Sequence, residues 1–175
     1  MKKLKEFHDM KLKVSHEFDL FGQIEFYESL WNGEKSMFRD YEKTKENVFK
    51  LKGFIEQNAG EKVLTHIDAV PDNFLFTAEG DEVRLIDWEY AAMQDPHVDL
   101  AMFSIYSFYD REQIDNLIDI YFDGNCDKNT RLKIYCYVAI GGLLWSNWCE
   151  YKRTLGVEFG EYSLRPVSYT HLTLP

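Results

Sequence analysis

The run His66-Ile67-Asp68-Ala69-Val70-Pro71-Asp72-Asn73 fits the pattern H-x-D-x-x-x-x-N, and a second acid stands downstream in Ile86-Asp87-Trp88-Glu89. Phosphoryl transfer to a hydroxyl needs a carboxylate that orients the acceptor and takes its proton. It also needs oxygen ligands that hold magnesium against the nucleotide phosphates. The short gap between Asp68 and Asn73 lets one loop present both functions. Asp87 supplies the anionic metal ligand that the amide of Asn73 cannot. The plainer reading gives Asp68, Asn73 and Asp87 turn roles, their side chains bonded to nearby backbone. That reading leaves their ordered succession unexplained.

These residues need short strands to carry them. Val63-Leu64-Thr65, Phe74-Leu75-Phe76 and Val83-Arg84-Leu85-Ile86 read as strands, the last two joined across a turn containing Gly80. The rest reads as helix. Phe38, Tyr41, Val48, Leu51 and Ile55 share one helical face in a segment that closes near Gly60. Asp95-Pro96 opens a helix over Val98 to Tyr109, and Asp110 with Gln113 forms a capping box for another that Gly124 ends. A last long helix spans about Asn129 to Arg153, with Gly156 just beyond it. Trp145 and Trp148, three apart on it, share one face. By spacing alone that pair is ordinary core packing.

The chain has 175 residues, 45% hydrophobic and 16% aromatic, enough for one sizeable core. Its formal charge of -10 argues against a phosphate-backbone binder, so no nucleic-acid partner is expected. Acidity suits a cationic substrate, and it equally serves solubility. Cys126, Cys136 and Cys149 show neither a C-x-x-C pair nor an even count, which argues for reduced thiols and a cytoplasmic location. No signal peptide is read at the start, and the apolar stretch Tyr135 to Trp145 is too short to span a bilayer, so no membrane insertion is expected.

Taken together, Leu64 to Phe74, Ile86-Asp87-Trp88-Glu89-Tyr90-Ala91 and Asp95-Pro96-His97-Val98-Asp99-Leu100-Ala101 resemble the choline/ethanolamine kinase family, over roughly residues 1–165. The likeness is greatest to bacterial choline kinases associated with surface-polysaccharide decoration. That family falls within the aminoglycoside-phosphotransferase-like enzymes, which share the protein-kinase fold. The resemblance implies an α+β, mainly helical fold, the C-terminal lobe of a protein-kinase-like phosphotransferase. It implies ATP as co-substrate and magnesium as cofactor. Asp68 then matches the catalytic base, Asn73 and Asp87 the magnesium ligands, His66 a residue that shapes the loop, and Asp99 a structural buttress. Trp145 and Trp148 correspond to the family's aromatic choline pocket. Tyr90 joins them, and Glu89 either adds negative charge or braces the loop. Choline has no N–H to donate, so ring faces must recognise it, each worth on the order of 0.5 to 2 kcal/mol.

The expected reaction is phosphorylation of choline to phosphocholine. Ethanolamine, an aminoglycoside or another amino alcohol is the alternative acceptor, and a non-catalytic binding module is the alternative of a different class. Two departures from the family pattern carry expectations. No glycine-rich phosphate loop or strand lysine precedes the motif, so the N-terminal lobe is absent and this polypeptide alone is expected to bind ATP poorly and turn over slowly. Residues 166–175 abandon the pattern and read as a non-native tail, which divides the chain into a lobe at 1–165 and that tail.

Overall fold

In the computed structural model, residues 1–78 and 82–157 are described, so the turn at Gly80 and the tail at 166–175 lie outside them. Six helices and four short strands follow one another: α1 (Lys2–Asp9), α2 (Leu20–Ser29), α3 (Tyr41–Gln57), β1 (Val63–Thr65), β2 (Phe74–Phe76), β3 (Val83–Leu85), β4 (Ala92–Gln94), α4 (His97–Tyr106), α5 (Arg111–Phe122) and α6 (Lys128–Thr154). The fold is α+β and mainly helical.

α6 is the axis of the core. Its Ile134, Val138, Ala139 and Ile140 are completely buried, and α2, α3 and α4 pack around it. Gly141 lets α4 come close, because a Cβ there would stand 2.9 Å from Ile105 Cδ1 and 3.1 Å from Met102 Sδ. Asn147 ties three helices together, donating from Nδ2 to Ile24 O and Tyr41 Oη, each at 3.0 Å, while its own carbonyl accepts from Trp31 Nε1 at 3.1 Å.

The strands form two antiparallel pairs. β1 lies against β4 with Val63 opposite Gln94, and β2 against β3 with Phe74 opposite Leu85. The hairpin expectation holds, with β3 one residue shorter than expected. β4 was not expected, since Ala92-Met93-Gln94 lacks the β-branched residues that mark a strand.

Helix ends differ by a few residues from their expected positions. α3 starts at Tyr41, leaving Phe38 ahead of it, and ends at Gln57 with Asn58 as C-cap, its Nδ2 donating to Phe54 O at 2.9 Å, so it closes near Gly60 as expected. α4 stops at Tyr106 instead of Tyr109, and Asp95 Oδ1 caps its start by accepting from His97 N–H at 3.0 Å. The Asp110–Gln113 capping box is present, and α5 closes through left-handed Asp123 and Gly124, at φ 50° and 76°.

Candidate active site

β1 ends at Thr65, and the chain then turns sharply through His66, Ile67 and Asp68. Ile67 has φ 69°, a left-handed conformation that a β-branched residue rarely adopts. One carboxylate holds the turn. Asp99, fully buried on α4, accepts His66 N–H at 3.0 Å and Ile67 N–H at 2.7 Å. His8 on α1 donates from Nε2 to the same carboxylate at 2.9 Å, and its Nδ1 lies 2.8 Å from Tyr121 Oη. Two helices besides α4 thus brace the loop.

His66 is completely buried and links this loop to the next. Its Nε2 lies 2.8 Å from Ile86 O, and since a carbonyl only accepts, the proton sits on Nε2. Its ring meets Trp88 edge-on at 4.7 Å, and Trp88 meets Phe7 at 5.0 Å. His66 therefore ties this loop to the end of the next strand and does not line the cavity described below.

Past Asp68, a short 3-10 helix at Pro71–Asn73 returns the chain to β2. Asn73 Nδ2 donates to Asp68 O at 2.9 Å and to Asp68 Oδ2 at 3.2 Å. That leaves the amide oxygen as the donor atom Asn73 can offer a metal. Ile86 N–H bonds Asn73 O at 3.0 Å, which sets the following residue, Asp87, beside the loop. Asp87 is exposed and left-handed at φ 64°. An exposed carboxylate and an amide oxygen are hard donors that suit magnesium, which takes one or two protein ligands and completes its shell with phosphate oxygens and water. The donor set fits that ion.

Burial pushes the Asp68 carboxyl above the usual carboxylate range, and the charge of Asp87 adds to this, while His66, Asn73 and the Tyr106 hydroxyl pull the other way. A carboxylate of raised pKa is the better proton acceptor at neutral pH.

Asp68 lines a small cavity with Phe18, Tyr27, Ile67, Tyr90, Met102, Leu144, Trp145 and Trp148. The structure therefore gathers Asp68, Tyr90, Trp145 and Trp148 around one space. Glu89 is exposed, and its charge acts on Tyr90 and Tyr27 at the rim. The two tryptophans do not stand apart as separate walls. They stack on each other, centroids 4.4 Å apart and planes within 10°. Tyr106 packs on Trp145 at 4.7 Å and also contacts the Asp68 carboxylate, so packing and site are one role for this residue. Tyr27, bonded to Tyr90, is the residue the sequence reading missed; it lies far upstream on α2 in no recognisable motif.

A profile of the phosphotransferase enzyme family (APH) matches residues 5–135. The chain belongs to this phosphotransferase family. Protein LicA of Haemophilus influenzae is 27% identical over 172 residues, covering 90% of this chain and 61% of that protein. The structure of choline kinase LicA from Streptococcus pneumoniae superposes with a TM-score of 0.81 at 30% identity, covering 97% of this chain and 59% of that one. A choline/ethanolamine kinase family protein from Mesorhizobium loti shares the fold, with a TM-score of 0.83 at 21% identity. The chain thus spans about three fifths of the phosphotransferase relatives it matches.

Proposed function

We propose that this chain is the C-terminal catalytic lobe, residues 1–165, of a kinase that transfers the γ-phosphate of ATP to the hydroxyl of choline. The observation that carries the reading is the shared cavity: the candidate base Asp68 opens onto the same space as Trp145, Trp148, Tyr90 and Tyr27. Ring faces attract a quaternary ammonium by their quadrupoles and need no N–H from it. A cation held there has its hydroxyl arm directed to Asp68, which orients it and takes its proton. Asn73 and Asp87 would hold magnesium, which neutralises charge on the transferring phosphate. Tyr106 and Asn73 fix the Asp68 carboxylate. Asp99 and His66 position the loop without touching substrate. Among the relatives, the choline kinase LicA and a LicA bound to AMP support this acceptor and a nucleotide donor. A cytoplasmic location follows from the need for ATP, and the three cysteines are free thiols. Among the described residues no helix is long and apolar enough to cross a membrane.

The test compares acceptors. In an enzyme that joins this chain to the region its relatives possess in addition, kcat/KM is measured for choline, ethanolamine and an aminoglycoside. The reading expects choline to lead ethanolamine, and Trp148→Leu to raise the KM for choline about tenfold while leaving ethanolamine nearly unchanged. Preference for ethanolamine or an aminoglycoside would keep the kinase and discard choline.

A further inference from the structure

The short helix α1 touches both loops of the candidate site through two consecutive residues. Phe7 packs edge-on against Trp88 with centroids 5.0 Å apart, and Trp88 directly follows Asp87. His8 is buried and reaches the other loop through Asp99, whose Oδ2 lies 2.9 Å from its Nε2. That Oδ2 also accepts His66 N–H at 3.0 Å, and Oδ1 accepts Ile67 N–H at 2.7 Å, one residue before Asp68. A carboxylate only accepts, so Nε2 of His8 carries a proton. The Tyr121 hydroxyl on α5, 2.8 Å from Nδ1, holds the ring in this orientation. The circuit closes between the loops, where the His66 ring meets Trp88 at 4.7 Å. One turn of α1 is thus tied to the Asp68 loop by hydrogen bonds and to the Asp87 loop by ring packing.

We propose that His8, with Phe7 beside it, is a positioning residue for phosphoryl transfer, which fixes the Asp68 loop relative to the Asp87 loop. The inference deepens the proposed function and rests on its reading of Asp68 as base and Asp87 as metal ligand. The base must meet the acceptor hydroxyl while the metal meets the phosphate, and a misplacement of about 1 Å costs on the order of 10²-fold in rate. Ile67 makes a brace necessary, because its left-handed backbone at φ 69° relaxes unless Asp99 holds the adjoining amides. Removing the His8 N–H takes from Asp99 one of three donors that fix its carboxylate. His8 does not line the Asp68 cavity, so its loss falls on kcat and spares acceptor binding. His8→Leu keeps bulk beside Phe7 without the N–H, and His8→Gln restores an N–H within reach of Asp99.

In the enzyme that joins this chain to the region its relatives possess in addition, kcat and KM for choline are measured for both variants, and amide hydrogen exchange is followed by NMR in this chain. The expected result is that His8→Leu lowers kcat about tenfold with KM for choline within about twofold, and that His8→Gln recovers to within about threefold of the unaltered enzyme. The Ile67 amide exchanges about tenfold faster in His8→Leu, while the amides of α6 keep their rates. Tyr121→Phe, which releases the His8 ring, repeats both measurements should the leucine variant fold poorly, with a kcat loss of about threefold expected. An unchanged kcat, equal losses in the leucine and glutamine variants, or exchange that quickens equally in α6 overturns the inference and leaves the kinase reading standing. Failure of the unaltered enzyme to phosphorylate choline overturns the acceptor reading instead, and the Ile67 exchange rate then decides the brace by itself.

Discussion

Ile67 carries the clearest cost in the structure. A β-branched residue at φ 69° stores on the order of 1 to 3 kcal/mol, and it persists because Asp99 captures two successive amides. Asp99→Asn would replace one acceptor oxygen with a donor that faces those N–H groups. A loss of about 1 to 3 kcal/mol is expected in urea unfolding, and more for Asp99→Ala, which abandons His8 as well. Asp68 behaves in the opposite sense. Its carboxyl is raised above the ordinary value of 3.8, chiefly by burial, so the folded state binds that proton more tightly than the unfolded chain does. Ionising it therefore costs stability, beginning above the unfolded pKa and complete above the folded one. Asp68→Asn should raise the urea midpoint at pH 7, with the gain vanishing at acid pH, while transfer by the complete enzyme falls about 10²- to 10⁴-fold. Asp68, Asn73 and Asp87 were legible because a loop and a hairpin keep their partners local. Tyr27 was not, since α2 brings it to Tyr90 only through tertiary packing.

Elements were legible where local chemistry decides them. The Asp110–Gln113 box, the hairpin strands and the glycines after α5 and α6 act over a few residues, and each stands where the spacing put it. β4 depends on pairing with β1 and so left no periodic mark. The same holds for Lys133, whose buried Nζ meets Asp95 Oδ2 at 2.7 Å and Asn58 O at 3.1 Å, joining α6 to the start of α4 and the end of α3. Burial pushes the Asp95 carboxyl upward, yet His97 and Lys133 together hold it well below the usual range. Lys133→Met should cost about 3 to 5 kcal/mol, read as a lower unfolding midpoint, because it strands a buried carboxylate. Gly141 in α6 has a packing reason. Gly141→Val should cost about 1 to 3 kcal/mol by pressing on Ile105 and Met102, whereas flexible side-chain ends and a better helix former should make Gly141→Ala nearly neutral.

At the scale of the molecule, apolar side chains stand exposed on and beside the hairpin: Leu75, Phe76, Ile86 and Trp88. With Asn73 and Asp87 proposed to hold magnesium against the nucleotide, we infer that this side faces ATP and the additional region of the relatives, so ATP should bind this chain at least about tenfold more weakly than the complete enzyme in calorimetric titration. The helical lobe with small sheets was legible from texture and from the resemblance. The mutual stacking of Trp145 and Trp148 was not, because i, i+3 spacing sets a shared face and leaves ring orientation to packing. The central claim is that Asp68 and the aromatic cavity serve one reaction on one acceptor. Phosphorus NMR of the complete enzyme with ATP, magnesium and choline tests it most directly. The account predicts a phosphocholine resonance that grows with time and is lost with Asp68→Asn; ATP consumption with no phosphocholine, or undiminished product from Asp68→Asn, would contradict it.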